Sequence, residues 1–236
     1  VREAVRHAPG RVLDVYLTEA ALERHSDIWN EAVAAGLYVH ITTQQVMDAM
    51  SPDAQGLLAV VATEEATGSE ALAAALEGAR LVAVLTQAQD PGNAGTIIRA
   101  ADAAGADAVV LVRGSVDPTA PKVVRSTAGS LFHLPVVTGV ALDDAVTALH
   151  NAGLTVLAAD GRGDFDLFEA ESLLGAPSAW LLGNEAHGLP LEALSRADAV
   201  VSIPIYGKAE SLNVAAAAAV CLYASARAQA QNSGRS

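Results

Sequence analysis

Two short apolar runs in the last third of the chain, AWLL at 179–182 and AVVSI at 199–203, each stop abruptly at a polar loop. The second loop opens into an alanine-rich stretch, VAAAAAVCLYASARA. Runs this short and this apolar fit strands buried on both faces of a parallel sheet. The first exits at Gly183, Asn184 and Glu185. The second exits at Pro204, and Ser211, Leu212 and Asn213 then lead into a long helix. Strand ends that carry polar loops beside a helix start are where open α/β sheets bind ligands. The rest of the chain has to supply the sheet and the other wall of that site.

It alternates in the required way. Residues 12–17, 38–41 and 56–62 read as strands and 20–35 as one helix, with Trp29 and Val33 on its apolar spacing and Gly36 as its stop. Thr42 and Thr43 can cap the helix that follows. Residues 1–66 therefore make a small α/β domain. The first residues read as a helix already under way, which points to chain upstream of Val1. Residues 67–79, rich in Ala and Glu, read as a linker that can hold a short helix. A second domain spans 80–230. Its strands are expected at 80–86, 108–112, 134–137, 155–159, 179–182 and 199–203, with an edge segment at 165–168. Pro91 and Gly92 force a turn, and Asn93 can cap a helix over 94–104. From 227 the chain reads as fraying, with 231–236 a tail.

Composition removes several classes. The single cysteine, Cys221, excludes an internal disulfide framework and a cysteine-only metal site, and its apolar neighbours make it a buried, inert residue. No secretory leader and no apolar run of membrane-spanning length is visible, so a cytoplasmic protein without a membrane partner is expected. The formal net charge of −13 argues against a general nucleic-acid binder. The acid is uneven, however. Residues 1–79 hold 4 Lys and Arg against 12 Asp and Glu, whereas 80–236 hold 10 against 15. Arg99, Arg113, Lys122, Arg125, Arg162 and Lys208 fall near loops, so a local basic site on an acidic protein is possible.

The familiar catalytic signatures are missing. There is no GxGxxG, no GxxxxGK[ST], no HExxH and no GxSxG, which counts against dinucleotide enzymes, P-loop enzymes, zinc hydrolases and α/β-hydrolases. No metal-ligand spacing links the histidines, and no metal is expected. What remains is polar and local. Arg99 sits six residues after Asn93 near a strand end, and with Arg125 it could hold a phosphodiester. The plainer reading is a solvated helix arginine paired with Asp102 at i+3. Glu185 could merely close a turn, and Ser211 could merely cap the last helix, with Asn213 in its first turn.

Four blocks carry a resemblance: DPGNAGTIIRAADAAGADAVVL, KVVRSTAGSLFHLPVV, WLLGNEAHGLP and SIPIYGKAESLNVAAAAAVCLY. In order and spacing they resemble the SpoU, or TrmH-type, RNA ribose 2'-O-methyltransferases of the SPOUT superfamily, over residues 80–225. Residues 10–62 resemble the small ribosomal-protein-like domain often fused in front, with QGLLAVVA the clearest piece. Within the family, the look is nearest to bacterial 23S rRNA methyltransferases, including the thiostrepton-resistance type.

The resemblance implies an α/β fold with a SPOUT-type parallel sheet and a C-terminal trefoil knot. It implies a homodimer in which the partner helps to form the site. It implies S-adenosylmethionine held around Leu182, Gly183, Asn184, Ile203 and Leu212. Asn93, Arg99, Glu185, Ser211 and Asn213 match the family's catalytic positions, and Arg125, with Lys122 beside it, matches its RNA-facing segment. Ala100 and Tyr206 depart from or vary within the family pattern without touching those positions. The implied function is methyl transfer to a ribose 2'-hydroxyl of RNA, with 23S rRNA as substrate and rRNA processing as context. In the family the equivalent of Arg99 is thought to help deprotonate that hydroxyl. A tRNA ribose methyltransferase, a non-catalytic RNA-binding or ribosome-assembly protein of the same fold, and a nucleotide-dependent oxidoreductase are the alternatives.

Overall fold

The structure, a computed structural model, describes residues 1–63, 66–184, 188–232 and 234. The chain divides into two compact units, Val1–Glu64 and Glu65–Ser236. The first contains α1 (Arg2–His7), β1 (Val12–Thr18), α2 (Glu19–Arg24), α3 (Ser26–Ala34), β2 (Tyr38–Thr42), α4 (Gln44–Met50) and β3 (Leu57–Val61). β1 is central, parallel to β2 and antiparallel to β3. The hydroxyls of Thr18 and Thr43 accept from the backbone N–H groups of Ala21 and Val46 and so cap α2 and α4.

The single helix expected over 20–35 is two helices here. The backbone leaves helical geometry at His25 (φ −130°, ψ 39°) and restarts at Ser26. The break resets the helical phase, so the buried stripe is Ile28 and Ala32, and Val33 is 53% exposed. No Gly or Pro marks the break, so an apolar period read straight through it lands one residue late.

The second unit contains α5 (Gly68–Ala75), β4 (Leu81–Leu85), α6 (Pro91–Ala103), β5 (Ala108–Val112), α7 (Pro121–Ser126), β6 (Val136–Val140), α8 (Leu142–Asn151) and β7 (Thr155–Ala159). It continues with β8 (Phe165–Asp166), α9 (Glu171–Leu174), β9 (Ser178–Leu182), α10 (Leu191–Arg196), β10 (Ala199–Ser202) and α11 (Val214–Asn232). The stretch read as a linker thus carries α5, which packs on β6 and α8. The seven strands are all parallel, in the order β6-β5-β4-β9-β7-β10-β8. β4 to β6 step outward in one direction. The chain then crosses to the other side for β7, and β9 fills the gap between β4 and β7.

The central strands are buried on both faces, as their apolar runs require. Side chains alternate between two core layers. Leu81, Ala83, Leu85, Trp180 and Leu182 face the layer with α6 and α11, whereas Val82, Val84, Ala179 and Leu181 face the layer with α5 and α8. After β10 the chain runs through residues 203–213 and comes back to lay α11 against α6, β4 and β9.

Polar anchors fix α11 in that position. Trp180, fully buried, donates its indole N–H to the buried hydroxyl of Ser225 at 2.9 Å. Gln229 donates from its amide to the carbonyls of Arg80 and Ala176 at 3.0 and 2.9 Å, tying the helix to the starts of β4 and β9. Asn232 reaches the Gly175 carbonyl. The fraying expected from 227 is therefore corrected up to Asn232: buried amide contacts hold the last turns, and a polar sequence there reads as solvent-exposed only because its acceptors lie far away in the chain.

Ser225→Ala keeps the helix former but strands a buried indole N–H. It should lower stability by about 1–3 kcal/mol in urea unfolding, with an unchanged slope. An unchanged midpoint would show that the anchor carries no weight.

Candidate functional site

The loops at the carboxyl ends of β7, β9 and β10 converge with the start of α11 around a cleft of about 520 Å³. Gly183, Asn184, Ile203, Ser211, Leu212 and Asn213, all expected site residues, line it, together with Asp160, Ile205 and Glu210. Leu182 is different. Its side chain is buried in the core, and its carbonyl accepts from both the backbone N–H and the hydroxyl of Thr86 at 2.9 Å. It fixes the strand end from which the cleft loop departs. Glu185 lies outside the described residues.

Close backbone approach shapes the cleft. A Cβ on Gly183 would lie 2.5 Å from the carbonyl carbon of Gly188 and 2.7 Å from the Leu189 nitrogen, so only glycine fits. Asn184 and Gly188 exchange two backbone hydrogen bonds, 3.0 and 2.8 Å, that close this loop. Asn184 also donates its side-chain amide to the Gln87 carbonyl at 2.9 Å, across to the loop after β4. Gln87 has a left-handed φ of 58°, a conformation that costs a non-glycine residue about 1–3 kcal/mol and that clusters at functional sites.

Helix α6 reaches the site through Asn93, which bonds to the lining residue Asn213. The cap of α6 is Asp90, whose carboxylate accepts the Asn93 N–H at 2.7 Å, and the helix starts at Pro91. The cap expected at Asn93 is thus corrected by three residues: proline at the first helical position leaves the preceding aspartate free to cap. Asn93 then turns its side chain to the cleft side, where its oxygen accepts from the Asn213 amide at 3.1 Å. The cap expected at Ser211 is likewise supplied by Asn213, whose oxygen accepts from the Ala215 and Ala216 N–H groups. Asn213 thereby uses its oxygen to start α11 and its nitrogen to join α6, and Ser211 stays exposed at the cleft.

Arg99 is exposed on α6, and among the described residues no ion pair holds it. Its expected partner Asp102 is taken by His133, whose Nδ1 lies 2.7 Å from the Asp102 carboxylate. From Asn93, Arg99 lies about 9 Å along the helix and roughly 120° around it. Lys122 and Arg125 are exposed on α7. That helix packs tightly on α6: a Cβ on Gly95 would run into the Ser126 side chain and lie 2.7 Å from the Val123 carbonyl. The Ser126 hydroxyl sits 3.1 Å from the Pro91 carbonyl.

Sequence reasoning missed Asp160, Thr86 and Gln87. Nothing local marks them, because each acts through a partner far along the chain or through backbone geometry. Cys221 is buried, and burial pushes its thiol up to about 12, so it is unreactive as expected.

Comparison with known proteins gives a consistent result. A model of the SpoU rRNA Methylase family matches residues 80–223. The 23S rRNA (guanosine(2553)-2'-O)-methyltransferase RlmP of Bacillus subtilis is 42% identical over 151 residues, covering 63% of this chain and 58% of that protein. The 23S rRNA (guanosine-2'-O-)-methyltransferase RlmB of Pseudomonas syringae is 30% identical over 235 residues, covering 96% of this chain and 92% of that one. Among solved structures, the AdoMet-bound rRNA methyltransferase from Sinorhizobium meliloti superposes with a TM-score of 0.79 at 28% identity, over 96% of this chain and 85% of that chain. The chain therefore spans less than two thirds of the Bacillus relative and nearly the whole of the Pseudomonas one.

Proposed function

Because the chain belongs to the SpoU rRNA methylase family, we propose that it transfers a methyl group from S-adenosylmethionine to a ribose 2'-hydroxyl of RNA, with 23S rRNA as the substrate. Its second unit has the parallel sheet typical of the knotted SPOUT fold. The observation that carries the reading is the Asn93–Asn213 hydrogen bond, which joins the start of α6 to the loop that lines the cleft.

The cleft suits the cofactor. Its volume is that of a small-molecule site, Ile203, Ile205 and Leu212 offer an apolar wall, and Gly183 opens backbone that any side chain would cover. S-adenosylmethionine, when bound, supplies a methyl group on a sulfonium. Gly183, Asn184, Ile203 and Leu212 would hold it, and Leu182 fixes the strand end beneath. Asn93, Ser211 and Asn213 would orient the ribose, and we assign Glu185 to the same task.

Arg99 cannot serve well as a base, because a guanidinium keeps its proton. It can bind a substrate phosphate in bidentate fashion and stabilise negative charge on the ribose oxygen as its proton leaves. Lys122 and Arg125 extend that basic edge for RNA. The distance of Arg99 from Asn93 also gives a reason for assembly: a second copy can complete the site. We place the homodimer contact on α11, beside a groove lined by Phe168, Val220 and Tyr223, of which Phe168 and Tyr223 are 59% and 53% exposed. Such a protein works in the cytoplasm, where rRNA is made in bacteria. Among the described residues no helix is long and apolar enough to cross a membrane.

A dinucleotide oxidoreductase fits less well. The N-terminus of α6 after β4, where a dinucleotide fold binds pyrophosphate, is already capped by the Asp90 carboxylate.

Single-turnover methylation of a 23S rRNA fragment at saturating RNA and cofactor tests this reading. Arg99→Ala should slow the chemical step by roughly 100-fold or more, as loss of an electrostatic stabiliser worth about 3–4 kcal/mol requires. S-adenosylmethionine affinity should stay within a few-fold. A wild-type chain that methylates no RNA ribose refutes the function, and an Arg99→Ala rate within about threefold of wild type refutes the role of Arg99. Light scattering should give twice the chain mass at micromolar concentration, and a monomer would contradict the shared site.

A further inference from the structure

Among the described residues two acidic ones, Asp160 and Glu210, line the cleft, and the chemistry above uses neither. Glu210 is exposed, but the Asp160 side chain keeps only 9% of its surface. Asp160 ends β7. Its N–H donates to the Val201 carbonyl at 3.1 Å, and its own carbonyl accepts from Gly163 at 3.0 Å. Gly163 in turn lies against β10, where an added Cβ would sit 2.6 Å from the Val200 carbonyl oxygen. The loop is therefore fixed at three points before its side chain is considered.

Arg162 then orients the carboxylate. Its Nε reaches Oδ1 at 2.9 Å, its Nη2 reaches Oδ2 at 3.0 Å, and its backbone N–H reaches Oδ1 at 3.0 Å. The guanidinium hydrogen bond holds the Asp160 carboxyl below the usual carboxylate range, so it stays ionised. Oδ1 takes two donors, but Oδ2 takes one and keeps acceptor capacity. Oδ2 also points across to the β9 loop, because a Cβ on Gly188, another lining residue, would lie 3.9 Å from it. Arg162 itself is 69% exposed, so solvent screens its side of the pair, and what the pair does is hold the orientation of the buried carboxylate.

We infer that Asp160 is a cofactor-binding residue, its Oδ2 held by Arg162 to accept a hydrogen bond from a donor group of S-adenosylmethionine. The nucleoside donors, the ribose hydroxyls and the adenine amino group, and the amino-acid ammonium share that donor chemistry. The inference rests on the proposed cofactor, and it adds an oriented, charged side-chain contact to that site. The rigid loop means that little ordering is needed on binding.

Calorimetric titration of the intact chain without RNA tests it. S-adenosylmethionine and 5'-methylthioadenosine, which keeps the ribose but lacks the amino acid, serve as probes. Asp160→Ala should weaken S-adenosylmethionine by about 10- to 100-fold, the range for a hydrogen bond to a charged group. Asp160→Asn, which can keep the turn to the Arg162 N–H and so remains folded, should weaken it by at least several-fold. Arg162→Gln, which removes the guanidinium from the carboxylate and keeps only the backbone N–H on Oδ1, should fall between wild type and Asp160→Ala. An equal loss for methylthioadenosine assigns the donor to the nucleoside, and a loss confined to S-adenosylmethionine identifies the ammonium. Asp160→Asn binding within twofold of wild type overturns the inference while leaving the proposed function standing. A wild-type chain that binds no S-adenosylmethionine overturns both.

Discussion

The return of α11 across the sheet is the constraint on which the cleft depends. A loop after β10 can face the loops after β7 and β9 only if the helix that follows is drawn back over β4 and β9. Burial of its alanine face supplies area, but alanine surfaces are smooth and do not fix a register. The Trp180–Ser225 hydrogen bond and the Gln229 contacts do, because a buried N–H that loses its acceptor is costly wherever else the helix might slide. Small side chains permit close approach, and a few buried polar groups choose one approach among many.

The same division of labour governs the site. Glycines at 163 and 183 let backbones touch, and single polar side chains then lock the loops that result. Asn213 is the clearest case, since its oxygen starts α11 while its nitrogen ties that start to Asn93 on α6. The positive groups lie elsewhere, on the exposed sides of α6 and α7. A strongly acidic chain can in this way keep a local surface suited to phosphate, and the pairing of Asp102 with His133 leaves Arg99 clear of its nearest acidic neighbour.

The central strands of the second unit were legible in the sequence because β4, β5 and β9 are short apolar runs buried on both faces. The strand order was not, because β9 enters between β4 and β7 through contacts that no local period encodes. Motif positions such as Gly183, Ile203 and Leu212 could be named from resemblance, and the cleft brings them together. Local capping was misplaced twice, at Asn93 and at Ser211. In both cases a better cap, Asp90 or Asn213, stood within three residues, and propensity alone does not rank such neighbours. The break at His25 was hidden because no Gly or Pro marks it. Asp160 was invisible for a different reason: Arg162 is a local partner, but the place of the carboxylate in the cleft comes from Val201 and the β9 loop, which only the fold brings to it.

The central claim is that the loops after β7, β9 and β10 form one cofactor site. Hydrogen exchange of the intact chain, with and without saturating S-adenosylmethionine, tests it most directly. Slowed exchange at residues 160–163, 183–189 and 203–213 together, with the first unit unchanged, is the predicted result. Cofactor binding that leaves these three segments exchanging as before would contradict it.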